Sequence, residues 1–103
     1  MTEVKTITPQ ELEGRLESRD QTLQVVDVRE DEEVEAGMIP EAIHIRLSEI
    51  PERMDELDRS QPLVMVCRSG GRSQRAAEYL ASQGFDVYNM VGGMMNWTGE
   101  VRS

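Results

Sequence analysis

Val66-Cys67-Arg68-Ser69-Gly70-Gly71-Arg72-Ser73 decides how this chain is read. The apolar run Leu63-Val64-Met65-Val66 leads into it. Ser73-Gln74-Arg75-Ala76-Ala77-Glu78-Tyr79-Leu80-Ala81 leads out of it with helical spacing. The expected local structure is a buried strand, a thiol at its end, a Gly-Gly loop and a helix. Glycine permits backbone angles that other residues resist, so successive N–H groups can converge on one point and form an anion-binding nest. The helix start adds unpaired N–H donors and partial positive charge. Arg68 and Arg72 add two permanent cations. An ordinary thiol, with a pKa of about 8.5, is mostly protonated at neutral pH; Cys67 is expected to ionise more readily. A helix terminus alone contributes about 0.3–1 kcal/mol. The N–H groups and at least one arginine are therefore expected to share the task. A lone cysteine is commonly a core thiol, but a core thiol needs neither two glycines, nor two arginines, nor a helix start. Cys67 is read as a nucleophile, with Arg68, Ser69, Gly70, Gly71, Arg72 and Ser73 as its binding loop.

Working outward, strands and helices alternate. Glu3–Ile7 reads as a short edge strand. Thr8-Pro9-Gln10-Glu11 starts a helix to about Ser18, with a capping hydroxyl, a proline at the first helical position and a glutamate three after the cap. Leu23–Val28 is rich in β-branched residues and reads as a buried strand. Asp27 within it must hydrogen-bond backbone or pair with Arg29. The acidic run Glu30–Glu35 reads as a solvated helix, and alternatively as a docking patch for a basic partner. Residues 37–41 form a loop, and Ala42–Ile45 a strand holding His44, read as a flanking residue. A helix from Ser48 to about Leu57, the strand Leu63–Val66, the helix from Ser73, a strand over Phe85–Met90 and a short helix over Met94–Trp97 complete the chain. This pattern predicts one α/β domain over 1–103: a mainly parallel, five-stranded sheet with helices on both faces. Ligands in such sheets bind beyond the carboxyl ends of the strands, where Val66-Cys67 and Val28-Arg29 both lie. Met94, Met95 and Trp97 are read as one wall of the pocket there.

Composition narrows the function. The chain has 103 residues, 11 Lys+Arg against 20 Asp+Glu, and a formal net charge of −9. Nucleic acid and anionic membrane surfaces are disfavoured as partners. The single cysteine rules out an internal disulfide, and with one histidine it argues against a zinc site. No apolar run is long enough to span a membrane. Met1-Thr2-Glu3-Val4-Lys5 lacks the character of a secretory leader, and the cytoplasm is the expected compartment for a free reactive thiol.

The loop Cys67–Ser73 resembles the active-site loop of rhodanese-type sulfurtransferases. The resemblance extends to Asp27-Val28-Arg29-Glu30, to Gly37–Ile45 and to Gly92–Trp97, in the family's order and spacing. It implies a rhodanese-like fold, with Asp27 and Arg29 as scaffold beside the site. It also implies a sulfurtransferase in which Cys67 takes the sulfane sulfur of thiosulfate or a similar donor as a persulfide. Cyanide, a thiol or a protein sulfur acceptor then removes it. No cofactor and no metal are implied. Met38, Glu41 and Arg46 stand where histidine, glycine and proline are frequent in the family, departures expected to alter the pocket rim. Two other readings stay open at this point. One is a persulfide-carrying module that serves a protein partner with little small-molecule turnover. The other is a cysteine phosphatase or arsenate reductase, whose loops place the arginine six positions after the cysteine, whereas Arg72 is five after Cys67.

Overall fold

A computed structural model describes residues 3–103. Met1 and Thr2, the start of the segment read as no leader, lie outside the described residues. Five strands form one sheet: β1 Lys5–Ile7, β2 Gln24–Asp27, β3 Ile43–His44, β4 Leu63–Val66 and β5 Val87–Met90. Their order is β1-β5-β4-β2-β3 and every pairing is parallel. The expected α/β architecture is present, and the sheet is parallel throughout. β1 lies at one edge, as its short alternating sequence predicts.

The central strand explains why both faces need helices. All four residues of β4 are buried, and they alternate between two cores. Leu63 and Met65 join one cluster with Ala76, Ala77 and Leu80. Val64 and Val66 join the other with Leu12 and Ile39. A strand covered on both sides reads as an unbroken apolar run, as this one does. Helix α1, Pro9–Glu17, covers the second face, and α4, Gly71–Ser82, covers the first. The start of α1 is the expected capping box: Thr8 Oγ1 accepts from Glu11 N at 3.0 Å, and Thr8 N donates to Glu11 Oε1 at 2.8 Å. Between these helices, α2 spans Asp31–Glu35 and α3 spans Ile50–Arg53.

Two elements differ from expectation. The helix expected over 48–57 is broken into 3₁₀ turns at Leu47–Glu49 and Met54–Glu56 flanking α3. Pro51 has no N–H to donate back to Leu47, so the Leu47 carbonyl is satisfied by Ile50 N in a tighter turn. Helix α4 begins at Gly71, two residues earlier than its apolar pattern suggests. Of the loop's two glycines only Gly70, the cap, needs a left-handed backbone, with φ of 110°. Arg72 and Ser73 therefore sit in the first helical turn rather than in the loop.

Register places the site. Asp27 at the end of β2 aligns with Val66 at the end of β4 and with His44 at the end of β3. Cys67 and Arg29 thus emerge side by side at the carboxyl edge of the sheet. Among the described residues, no helix is long and apolar enough to cross a membrane, and no group of three His, Cys, Asp or Glu is placed to hold a metal ion.

Candidate active site

Cys67 is 1% exposed at the floor of its loop. Gly70 N donates to Cys67 Sγ at 3.1 Å, and the Ser73 hydroxyl reaches it at 3.3 Å. Burial pushes the thiol pKa up. Hydrogen bonds from the Ser73 hydroxyl and from the N–H groups of Ser73, Gly70 and Ser69 outweigh burial and hold the thiol below its ordinary value. The early start of α4 makes this possible, because it aims first-turn donors at the sulfur.

The division of labour differs from the sequence reading. Arg72 makes no hydrogen bond to Cys67 among the described residues. Its two terminal nitrogens each hold one carboxylate oxygen of Glu33, at 2.7 and 2.8 Å. The Cys67 charge acts on Arg72 only as a lesser influence behind this pair. Hydrogen bonds, not an arginine, lead in stabilising the thiolate. Arg68 is exposed and makes no ion pair among the described residues.

If loop donors favour the thiolate, alkylation of Cys67 by iodoacetamide should rise with pH to a midpoint below the ordinary thiol value of about 8.5. Ser73→Ala removes the hydroxyl donor and should move that midpoint upward. A midpoint at the ordinary value in the natural protein would overturn the assignment of these donors.

Asp27 and Arg29 form a buried unit beneath the site. Arg29 Nε donates to both Asp27 oxygens at 3.0 and 3.1 Å, Nη2 donates to Oδ2 at 2.9 Å, and Arg29 N donates to Oδ1 at 3.0 Å. A further bond runs from Arg29 Nη2 to the Gly37 carbonyl at 2.9 Å. Asp27 does both things expected of it, pairing with Arg29 and binding backbone. His44 Nε2 lies 2.7 Å from the Arg29 carbonyl oxygen, so this ring braces the same turn.

Three groups act on the loop in ways the sequence reading did not assign. Asn89, 5% exposed, accepts from the Ser73 hydroxyl with Oδ1 at 2.5 Å, so the single proton of that hydroxyl is shared between Asn89 and the Cys67 sulfur, and Asn89 donates from Nδ2 to Gly70 O and Gln74 Oε1, each at 3.1 Å. A polar residue at an inward position of β5 was the available signal. Glu33 belongs to the acidic run read as solvated, and nothing in that run distinguishes it. The 3₁₀ turn Gly93–Asn96 is the third. Met94 N donates to Cys67 O at 2.8 Å and Met95 N donates to Arg68 O at 3.0 Å. Pinning these carbonyls outward leaves the loop N–H groups facing the sulfur.

Beside the loop lies an open pocket of about 350 Å³, lined by Arg29, Glu33, Ala36, Arg68, Met94 and Met95. Met94 and Met95 form part of its wall as expected. Trp97 does not; it lines a separate cleft with Glu13, Leu16 and Glu41. The departures at Met38, Glu41 and Arg46 also lie off this rim. Met38 pairs with Arg102 in a β-bridge, and Arg46 holds Glu49 at 3.2 Å.

Comparison with known proteins agrees with this geometry. The family profile of the rhodanese-like domain matches residues 8–100. The chain belongs to the rhodanese-like family. This rhodanese-like chain is 49% identical over 100 residues to a candidate sulfurtransferase, YtwF, of Bacillus subtilis, covering 97% of this chain and 96% of that one. It is 41% identical over 98 residues to the thiosulfate sulfurtransferase GlpE of Pseudomonas syringae, covering 94% of this chain and 90% of that one. A crystal structure of a rhodanese-like domain protein from Staphylococcus aureus superposes with a TM-score of 0.89 at 37% identity, covering 96% and 97% of the two chains. The rhodanese-like sheet of that structure is therefore the fold of this chain, and the sulfurtransferase family is its functional setting.

Proposed function

We propose that this protein is a sulfurtransferase that carries sulfane sulfur as a persulfide on Cys67. The observation that carries the reading is the convergence of Gly70 N and the Ser73 hydroxyl on the Cys67 sulfur, at 3.1 and 3.3 Å. With thiosulfate as donor, Cys67–S⁻ attacks the outer sulfur of S–SO₃²⁻. The S–S bond of thiosulfate breaks, SO₃²⁻ leaves with the electron pair, and Cys67–S–S⁻ remains. Cyanide then attacks the outer sulfur and departs as thiocyanate, restoring Cys67–S⁻. A thiol or a protein acceptor takes the sulfur by the same displacement. Two half-reactions sharing a covalent intermediate give ping-pong kinetics.

The residues divide as follows. The N–H groups of the loop from Arg68 to Ser73 hold the terminal sulfur and the charge that develops on it. The Ser73 hydroxyl, kept in place by Asn89, holds the inner sulfur. Arg68 meets the anionic donor. Asp27 and Arg29 hold the ends of the strands in register. The short loop, in which Gly70 N and the Ser73 hydroxyl already converge on one sulfur atom, suits an atom of sulfur better than the tetrahedral oxyanion a phosphatase must cradle.

Intact-mass analysis after mixing with thiosulfate tests the reading. The protein should gain the mass of one sulfur atom, and a thiol reductant should remove it. Steady-state turnover with thiosulfate and cyanide separates an enzyme from a carrier module, which would take up sulfur without turning over. Hydrolysis of aryl phosphates without sulfur uptake would favour the phosphatase reading instead.

A further inference from the structure

The three arginines near the pocket beside the Cys67 loop are not equally available. Arg29 is bound to Asp27 and to the Gly37 carbonyl. Arg72 is held at both terminal nitrogens by Glu33. Of these three, Arg68 is the one that makes no ion pair among the described residues. Glu33, moreover, is not a passing surface partner. It is the third residue of α2, and Glu30 N donates to its Oε1 at 2.9 Å, so the helix start fixes its side chain. It is also one of the residues that line the pocket, whereas Arg72 is not. The Arg72 guanidinium beside it holds its carboxyl down to about 2, so it stays ionised wherever Cys67 reacts. The rest of the lining is apolar: Ala36, Met94 and Met95.

We propose that Glu33 is a specificity-determining residue: by occupying Arg72 and presenting its own carboxylate to the pocket, it biases Cys67 against small dianions and toward donors whose sulfane sulfur rides on an apolar or singly charged organic group. The proposal rests on the sulfurtransferase reading for its meaning but not for its test. A small dianion such as thiosulfate needs compensating cations on several sides, and this pocket offers one. An organic donor needs one cation and an apolar surface, which Arg68 and the two methionines supply. The formal net charge of −9 adds repulsion at long range and leaves short-range cations to decide.

The experiment compares alkylation of Cys67 by anionic iodoacetate and neutral iodoacetamide. The ratio of the two rates cancels changes in thiolate reactivity and reports the charge the pocket shows an incoming anion. Glu33→Gln keeps an oxygen for Glu30 N and removes the charge. At low salt it should raise the ratio about three- to tenfold, the size expected for one charge removed at several ångströms in a largely aqueous setting. In an Arg72→Ala background the same change should raise the ratio clearly less, because no arginine is there to be released. An unchanged ratio, or an equal rise in both backgrounds, overturns the proposal. Thiosulfate kinetics give a second readout: Glu33→Gln should lower the KM for thiosulfate with little change in kcat. If the ratio rises as stated but no variant takes sulfur from thiosulfate, the anion selection stands and the sulfurtransferase reading fails. If sulfur uptake occurs and the ratio does not move, the reading stands and the role of Glu33 fails.

Discussion

Cys67→Ser is expected to abolish sulfur uptake from thiosulfate and to lower turnover by about four orders of magnitude or more, the scale seen when a nucleophile is removed from an otherwise intact site. The substitution replaces one atom and leaves the nest in place. Gly70 N and the Ser73 hydroxyl keep a partner, and the fold should be unaffected. A hydroxyl is far harder to ionise than a thiol, however, and an alkoxide cannot store a sulfane sulfur as a persulfide. The chain contains no second cysteine to take over. Intact mass after thiosulfate treatment, together with thiocyanate production, checks the prediction. A variant that still gains one sulfur would show that the covalent step runs elsewhere.

Gly93→Ala should be among the most damaging single substitutions outside the loop itself. Gly93 has φ of 60°, and a Cβ built there overlaps the Arg68 carbonyl and comes within 2.6 Å of the Cys67 carbonyl oxygen. All of these atoms are backbone and belong to the Cys67 loop, so no side chain can turn aside. Left-handed backbone on a residue with a Cβ costs about 1 kcal/mol or more, and the overlap must be relieved by moving the loop. The expected loss is about 3 kcal/mol or more of unfolding free energy. It should appear as a lower urea midpoint at an unchanged slope. Because Met94 N and Met95 N hold the loop carbonyls, the Cys67 alkylation midpoint should also shift upward. Gly71→Ala is the control: its Cβ meets nothing within 4 Å, and its stability should change by less than about 0.5 kcal/mol. A Gly93→Ala protein as stable as that control, with unchanged alkylation, would refute this account of the loop.

Local sequence was sufficient for the elements whose determinants are local. The unbroken apolar run Leu63–Val66, four residues long and bounded by Pro62 and the glycine loop, reads as a strand buried on both faces. Thr8-Pro9-Gln10-Glu11 contains every group its capping box uses. The alternation of such segments implies a parallel sheet, and Cys67 at a strand end before a glycine pair implies a thiol at the carboxyl edge of that sheet. The boundaries of α4 and of the broken 47–56 segment were less legible. Each depends on which carbonyl a given N–H selects, a choice that Pro51 and the Gly70 cap make and that apolar periodicity does not record.

Tertiary structure alone decided which groups act on the sulfur. Sequence places both Arg68 and Arg72 within five residues of Cys67, but pairing depends on what lies across from each side chain. Glu33, 39 residues away in the chain, faces Arg72 because β2 and β4 are neighbours and α2 follows β2. Asn89 reaches Ser73 because β5 lies on the other side of β4. Met94 and Met95 reach the loop because the turn after β5 folds back over the carboxyl edge. Hydrogen bonds and ion pairs act over about 3 Å. Residues at the ends of three adjacent strands meet within that distance only once the sheet has formed. The chain's own sequence therefore determined where the thiol lies and the fold that holds it, while the charge and donors surrounding that thiol were set by strand order.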